Sequence, residues 1–449
     1  MKLIVSAFVL FFAINLSAQN CLNTYSGNGL PNLTNGNVSL AQYRNPSGLC
    51  KDKFGNMFVA DGDNNIIRKI SAAGVVSTYA GSGIAGYRNG SKDSAQFDSP
   101  FDICADDLGN VYVTDFNNQR IRKISVIGIV STVAGNGIAG FKEGASDSAE
   151  FNYPRGIVWT PSNHLFIGDS WNHRIRKINL STNTVSTFAG GGSTMGVGSV
   201  GSWIDGPDTS ARFYTPCGLS IDTAFNLYLA DAYNHRIRKI DVNALVTTIA
   251  GSGPSGTTVG DFIDGSVSIA QLNVPTELCW TASKGIFIGD TYNDALRLLD
   301  FDGFVSTMAG AGIPGYKDSC ATTLALMNHP RGLVASPNAD SIFIIDGNNH
   351  AIRLLYKEML PSTIFNLRDN NLIYLTQDRN ILFLHLPVSN QEIVKYNISN
   401  VLGQYNYLNK INSNRCENGI ELNIESLQNG IYFMNLELEG QRKTIKFLR

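Results

Sequence analysis

The sequence predicts an all-β protein, a six-bladed β-propeller closed by its N-terminal strand and followed by a small antiparallel β-sandwich. The composition is one reason, because 16% charged residues and 44 glycines in 449 residues are typical of short strands joined by tight turns. A second is a proline that stands 15 or 16 residues before each copy of a repeated motif. The third is the motif, Asp-x-x-Asn-x-x-Ile/Leu-Arg, which begins at Asp61, Asp115, Asp169, Asp231, Asp290 and Asp346.

The first 18 residues have the pattern of a signal peptide. Lys2 supplies a positive charge, Leu3–Leu16 is an almost unbroken apolar run, and small residues offer a cleavage site before Gln19. The run is shorter than the roughly 20 residues that cross a bilayer, and no later stretch is long and apolar enough to do so. We therefore expect export and no transmembrane segment.

Each repeat is predicted to contain four short strands. In the first repeat these are Pro46–Cys50, Met57–Ala60, Ile67–Ile70 and Val76–Ala80, which are bounded by Gly, Asn and Asp. Strands of this length, in repeats of 54 to 62 residues, are typical of propeller blades. No window shows the 3.6-residue apolar period of a helix.

The ring is predicted to close through the N-terminus. The sixth repeat lacks a fourth strand, whereas Leu22–Leu30 matches the fourth-strand segment Val76–Ile84. We expect this N-terminal strand to complete the last blade beside Ala351–Tyr356. Such closure removes an exposed strand edge.

The repeats resemble those of the NHL-repeat family. The resemblance rests on the proline, the apolar pair before the Asp, and the sequence Asn-His-Arg-Ile-Arg-Lys-Ile at Asn172–Ile178 and Asn234–Ile240. Repeats five and six depart from it at Asn293–Leu299 and Asn349–Leu355. The resemblance implies a six-bladed propeller over about three quarters of the chain.

The C-terminal segment follows a different pattern. Tyr396–Gln404, Leu427–Tyr432 and Thr444–Arg449 resemble the sorting domain of type IX secretion in Bacteroidetes. The resemblance implies recognition by the type IX secretion machinery and a secreted or outer-membrane surface-attached protein. We therefore predict a signal peptide at 1–18, an NHL-type propeller at 19–357 and a secretion sorting β-sandwich at 358–449.

The seven cysteines do not indicate a metal site. Cys50, Cys104 and Cys279 each lie four residues after a repeated proline, which favours small buried side chains over disulfides. The chain has no Cys-x-x-Cys and no closely paired histidines, so no cofactor is predicted, and zinc or calcium is left as an unsupported alternative.

Residues that all six repeats share are interpreted as architectural, because catalysis needs one asymmetric set of unlike groups. The repeated Asp suits a tight turn. The Arg seven residues later is expected to bond to that Asp or to carbonyl groups. A ring of carboxylates that binds cations is the alternative.

Function is expected where the sixfold pattern breaks. Glycine is the default residue two positions after the repeated proline, but Asp102 and Glu277 replace it in two repeats. One position after the proline stand Phe101, Arg155 and Arg331. Charges of both signs thus meet near the mouth of the channel, where they pair with each other, face water or contact a ligand.

Aromatic residues mark a second candidate surface. The turn after the repeated Asp carries Phe116, Trp171, Tyr233 and Tyr292, on the face that also bears the loops between blades. The two longest of these loops carry Trp203 and Phe262. Such side chains stack on sugars or anchor a protein partner, and packing between neighbouring turns is the alternative.

These features predict a binding or scaffold module that recognises an extracellular protein or glycan through its loop-rich face. The net charge of −2 argues against nucleic acid as a partner. The alternative is a metal-dependent lyase or lactonase with a site at the central channel, as in some six-bladed relatives. A zinc site needs about three histidines near the axis, whereas His173, His235 and His350 share one repeat position. An extracellular matrix component is a further alternative.

Overall fold

A computed structural model describes side chains for residues 20–192, 202–252 and 260–357, and strand backbones within 358–449. Asn20–Lys357 form one compact unit, and Glu358–Arg449 belong to another. The predicted signal peptide, residues 1–18, lies outside the described residues. We number the blades one to six by their repeated prolines, which are Pro46, Pro100, Pro154, Pro216, Pro275 and Pro330.

The first half of the propeller contains the N-terminal strand and three complete blades. The N-terminal strand is β1 (Gln19–Ser26). Blade one contains β2 (Gly36–Asn37), β3 (Pro46–Lys51), β4 (Met57–Asp61), β5 (Ile66–Ile70) and β6 (Val75–Ala80). Blade two contains β7 (Gly90–Ser91), β8 (Pro100–Ala105), β9 (Val111–Asp115), β10 (Arg120–Ile124) and β11 (Ile129–Ala134). Blade three contains β12 (Gly144–Ala145), β13 (Pro154–Thr160), β14 (His164–Asp169), β15 (Arg174–Asn179) and β16 (Thr184–Ala189).

The second half contains the other three blades. Blade four contains β17 (Gly206–Pro207), β18 (Pro216–Ile221), β19 (Leu227–Asp231), β20 (Arg236–Ile240) and β21 (Leu245–Ala250). Blade five contains β22 (Gly265–Ser266), β23 (Pro275–Thr281), β24 (Gly285–Asp290), β25 (Ala295–Leu299) and β26 (Phe304–Ala309). Blade six contains β27 (Pro330–Ala335), β28 (Ser341–Asp346) and β29 (Ala351–Glu358).

Short 3₁₀ turns are the helical elements of the described chain. They are Gly62–Asn64, Ser170–Asn172, Asp208–Ser210, Ala232–Asn234, Thr291–Asn293, Thr322–Leu324 and Gly347–Asn349. Within the residues that the structure describes, no helix has the length and apolar character needed to span a membrane.

The predicted six-bladed, all-β propeller is confirmed. Each blade is an antiparallel sheet whose innermost strand is the one that begins at the repeated proline. The six inner strands contact one another in a closed ring. The prediction of four strands per blade was incomplete. In blades one to five, a two-residue strand in the preceding loop adds a fifth strand to the outer edge, as Gly36–Asn37 does on β6.

The prediction that the N-terminal strand closes the ring is also confirmed. β1 pairs with β29, so the last sheet has the order β1-β29-β28-β27. Leu22 and Ser319 exchange two backbone hydrogen bonds of 3.0 Å, in the place where other blades have their fifth strand. A disulfide joins the adjacent residues Cys21 and Cys320, a pair that the sequence analysis did not predict.

The hydrophobic core lies between neighbouring blades. Phe58 and Ala60 of blade one pack with Ile103 and Val113 of blade two in one buried cluster. Each large apolar side chain buried in this way contributes about 1.5–3 kcal/mol. Each blade is therefore stabilised by the apolar side chains that it buries against the neighbouring blades.

A buried ion pair recurs in every blade. In blade one, both side chains of Asp61 and Arg68 are fully buried and lie 2.9 Å apart. Asp61 also accepts hydrogen bonds from Asn64 Nδ2 and from the backbone of Arg44. The equivalent pairs are Asp115–Arg122, Asp169–Arg176, Asp231–Arg238, Asp290–Arg297 and Asp346–Arg353. These contacts satisfy charges that would otherwise be costly to bury.

Adjacent blades are also joined by a polar contact at a left-handed residue. The residue four positions after the repeated Asp has a φ between 49° and 55°. Its side chain accepts the backbone N–H of the residue before the next blade's proline, as His350 Nδ1 does from Asn45 at 3.0 Å. The equivalent acceptors are Asn65, Gln119, His173, His235 and Asp294.

The C-terminal unit contains two antiparallel sheets. One has the strand order β30-β31-β32-β35-β34 and the other β33-β36-β37 in chain numbering. Their bounds are Phe365–Leu367 (β30), Asn371–Asp378 (β31), Ile381–His385 (β32), Lys395–Asn400 (β33), Ser413–Cys416 (β34), Gly419–Asn423 (β35), Ile431–Leu438 (β36) and Gln441–Leu448 (β37). Packing of the two sheets as a sandwich stays a prediction.

Candidate functional site

The channel mouth is formed by the two residues that follow each repeated proline. In blade three the ladder pairs Pro154 with Asp169 and resumes with Ile157 opposite Ile167, so Arg155 and the glycine after it lie in a β-bulge. Corresponding irregularities occur in all six inner strands. Bulges re-aim side chains out of a regular ladder. These residues are therefore free to face the channel and its loop-bearing end.

Close approach of the inner strands explains why glycine is the default at the second position. A Cβ atom built on Gly48 would lie 2.6 Å from the Cα atom of Asp102, and one on Gly332 would lie 2.7 Å from the carbonyl oxygen of Ser47. Any side chain at either glycine would collide with the backbone of the next blade. Asp102 and Glu277 consequently occupy the space that the equivalent glycines of the adjacent blades leave open.

Asp102 and Glu277 project from opposite blades, two and five, and are almost completely buried. Asp102 Oδ2 accepts a hydrogen bond from the backbone of Ile157 at 2.8 Å, and its Oδ1 accepts one from Ile103. Glu277 Oε1 accepts one from Leu278 at 3.0 Å. Burial raises the pKa of Asp102 to about 7, although the two N–H donors oppose it. Burial, and then the charge of Asp102, raise the pKa of Glu277 well above its usual value. Both carboxyl groups therefore favour the protonated form more strongly than an exposed carboxyl group does.

Arg155 and Arg331 project from another pair of opposite blades, three and six. Among the described residues neither forms an ion pair with Asp102 or Glu277, so the pairing considered from sequence is not made. Arg155 Nη1 donates to Cys217 Sγ at 3.2 Å, and its buried Nε has no acceptor within the described chain. Burial lowers the pKa of Arg331, and the positive charge of Arg155 lowers it further.

Aromatic rings extend from the channel mouth onto the loop-bearing face. Phe101 stacks on Phe116 with ring centroids 5.6 Å apart, Phe116 lies 4.8 Å from Tyr153, and Tyr153 lies 4.7 Å from Trp171. The guanidinium of Arg155 covers Phe101 and Phe116 at 5.2 and 5.5 Å. Tyr153 was not among the predicted residues. Its position just before a repeated proline is the sequence signal that could have identified it.

The remaining turn aromatics continue this arrangement around the face. Tyr233 packs on Tyr214 at 5.2 Å, and Tyr292 packs on His329 at 5.1 Å. Trp171 and Tyr292 remain 45% and 44% exposed, so packing leaves much of each ring accessible. We define the aromatic arc as the following six residues: Phe101, Phe116, Tyr153, Trp171, Tyr233 and Tyr292.

Trp203 and Phe262 lie elsewhere, on the outer loops. Trp203 covers the guanidinium of Arg236 at 4.1 Å, and Phe262 covers that of Arg297 at 4.8 Å. Tyr87 and Phe141 contact the arginines equivalent to Arg236, and Tyr316 contacts the arginine equivalent to Arg297. The structure thus gives these two residues a contact that recurs around the ring. The segments 193–201 and 253–259 of the long loops lie outside the described residues.

The histidines at the shared repeat position belong to the contacts between blades. Nδ1 of His173 and of His235 each accept a backbone N–H of the next blade, as His350 does. In the part of the chain that the structure describes, no group of three or more His, Cys, Asp or Glu side chains is placed to hold a metal ion.

Comparison with protein families identifies both parts of the chain. Residues 89–284 match the Teneurin NHL domain, and residues 379–448 match the secretion system C-terminal sorting domain. The chain is 27% identical over 364 residues to NHL repeat-containing protein 2 of Gallus gallus, a match that covers 73% of this chain and 49% of that protein. It is 32% identical over 279 residues to the chloroplastic protein SUPPRESSOR OF QUENCHING 1 of Arabidopsis thaliana, which covers 60% of this chain and 26% of that protein. The chain therefore spans about a quarter to a half of the length of these relatives.

Solved structures share the propeller. An auxiliary nutrient binding protein from Bacteroides thetaiotaomicron has a TM-score of 0.57 at 16% identity, covering 76% of this chain and 77% of that one. A similar protein from Bacteroides ovatus has a TM-score of 0.57 at 14% identity, covering 76% and 78%. At these identities the likeness shows the fold. The chain thus contains repeats that match an NHL domain over residues 89–284 and fold as a six-bladed propeller, and residues 379–448 match a secretion system C-terminal sorting domain.

Proposed function

We propose that this protein is an exported binding module that recognises an extracellular protein or glycan through the loop-bearing face of its propeller. Residues 1–18 would direct export, residues 19–357 would bind the ligand, and residues 358–449 would engage the type IX machinery for release or surface attachment. The nutrient-binding proteins that share this fold are consistent with such a role.

The aromatic arc is the observation that supports this proposal. Trp171 and Tyr292 expose large rings in the turns beside the channel mouth. Exposed aromatic rings supply apolar contact area, and Tyr and Trp add a hydrogen-bonding group. A surface of this kind, at the end of a rigid scaffold and next to charged side chains, is typical of a recognition site.

A binding screen with variants on two opposite faces tests the proposal. The purified full chain is applied to a glycan array and to a panel of extracellular proteins. The double variant Trp171→Ala/Tyr292→Ala should lose capture by about tenfold or more, because aromatic anchors dominate binding energy. Phe54→Ala is the matched control, because Phe54 is 63% exposed in a turn at the opposite end of the strands.

Thermal unfolding should show that both variants remain folded, with a small decrease for the double variant because Trp171 packs on Tyr153 and Tyr292 packs on His329. Equal capture by the wild type, the double variant and the control would contradict the proposed face. Metal analysis of the same sample tests the enzyme alternative, since stoichiometric zinc or calcium would favour a lyase or lactonase over a binding module.

A further inference from the structure

We propose that the channel mouth binds the carboxylate of an acidic glycan, with Arg155 and Arg331 as the residues that hold it. This inference rests on the proposed binding function and specifies its ligand class.

The two arginines have unused hydrogen-bonding capacity. A guanidinium carries five N–H donors, yet each of the two arginines donates a single described hydrogen bond, Arg155 to Cys217 and Arg331 to Asn45. Arg68, in the repeated ion pair, donates four hydrogen bonds. The terminal nitrogens of Arg68 are thus used by the protein, whereas Arg155 and Arg331 retain terminal N–H donors for a ligand. The buried Nε of Arg155 does not distinguish it, because Arg68 Nε also has no acceptor within the described chain.

The charge at the mouth is not neutralised by the neighbouring acids. Asp102 and Glu277 accept backbone N–H groups, form no ion pair with the two arginines in the described chain, and have pKa values that burial raises. Asp63 is the carboxylate that acts on Arg331, but it is exposed and forms no ion pair with it in the described chain. Arg155 and Arg331 project from opposite blades, and the positive charge of Arg155 acts on Arg331. An anion bound between two such like charges would stabilise both. Carboxylates match the planar guanidinium fork, and such charge-assisted bonds are the strong ones.

The surroundings favour a sugar as the carrier of that carboxylate. Arg155 and Arg331 are partly buried, whereas Trp171 and Tyr292 at the rim are exposed. Small ligands are typically oriented by a few polar groups at such a site, and the two arginines are placed to supply them. The flat C–H faces of a pyranose carry partial positive charge and stack on the negative faces of aromatic rings.

Titration calorimetry with chemically paired probes tests this assignment on the full chain. The probes are oligogalacturonate as the free acid, the same oligosaccharide as its methyl ester, and hexaglutamate peptide. The free acid should bind, and Arg155→Gln and Arg331→Gln should each weaken it about tenfold or more, as expected for a charge-assisted hydrogen bond. Arg88→Gln is the matched control, because Arg88 is exposed on an outer loop and its side chain has no described contact.

The outcomes separate this inference from the broader proposal. Binding of the free acid that is lost on esterification, lost in both arginine variants and partly recovered in Arg155→Lys supports it. Equal binding of acid and ester, or binding of hexaglutamate but not of the sugars, overturns it. If the earlier screen finds a ligand whose affinity is unchanged in both arginine variants, the carboxylate assignment fails while the binding function stands. If that screen and these probes all show no binding, both fail.

Discussion

At the scale of single residues, one left-handed position in each blade determines how neighbouring blades are joined. Asn, Gln, His and Asp occupy it in different blades, and all four supply an acceptor for the next blade's backbone N–H. An imidazole accepts through an unprotonated nitrogen, so the histidine contacts depend on pH whereas the amide contacts do not.

Replacing His350 with Asn should reduce the loss of stability in mild acid. Burial lowers the pKa of His350 below its usual 6.5, the charge of Arg44 lowers it further, and Asp63 opposes both. The unfolded chain therefore takes up a proton first as the pH falls, and the stability from this contact declines below about pH 6.5. The difference in melting temperature between pH 7.5 and 5.5 should shrink by roughly 1–3 °C in His350→Asn.

Asn65→His is the reciprocal variant, because Asn65 holds the same position in blade one. It should enlarge the difference between the two pH values. An identical pH dependence of melting in the wild type and both variants would show that the histidine contact has no role in it.

At the scale of elements, the closing strand β1 is held by backbone pairing and by a covalent bond. Its pairing with β29 could be predicted, because Leu22–Leu30 repeats the fourth-strand pattern. The disulfide could not, because Cys21 and Cys320 are 299 residues apart and become neighbours only when the ring closes. The two-residue outer strands were also missed, since segments such as Gly36–Asn37 are too short to show an alternating pattern.

Replacing both Cys21 and Cys320 with Ser should destabilise the propeller by about 2–4 kcal/mol, because the disulfide restricts the unfolded chain. Denaturant unfolding measures this loss. Reductant should lower the stability of the wild type and leave the double variant unchanged. A wild type that is equally stable in reductant would indicate that backbone pairing alone closes the ring.

The residues of the candidate site could be chosen from the sequence more readily than the contacts that they form. Arg155 and Arg331 could be selected because they interrupt a sixfold pattern, but the absence of ion pairs to Asp102 and Glu277 in the described chain depends on bulge geometry. The stacking of Trp203 on Arg236 likewise depends on a loop conformation that spacing does not determine.

At the scale of the whole molecule, the sorting domain and the propeller serve separate steps. The family match at residues 379–448 indicates export through the type IX system, whereas the mouth and aromatic arc lie within residues 20–357. Export and ligand binding should therefore be separable by mutation.

Deleting residues 358–449 should leave the protein in the periplasm, because the type IX machinery would lack its recognition domain. Fractionation and protease accessibility of intact cells measure this, and at least tenfold less surface protein is expected. The full-length double variant Trp171→Ala/Tyr292→Ala should reach the surface normally. Normal surface display of the truncated chain would refute the sorting role.

The two-residue strands at the outer edges of blades one to five limit strand pairing between copies of the protein. An incoming chain can add to a sheet only where consecutive N–H and C=O groups stand unpaired. The outer edges of these blades present strands of only two residues, which are too short to pair with an incoming strand. Each of these strands is held in place by the loop that contains it. We therefore expect the outer edges of blades one to five to resist strand pairing between copies of the protein.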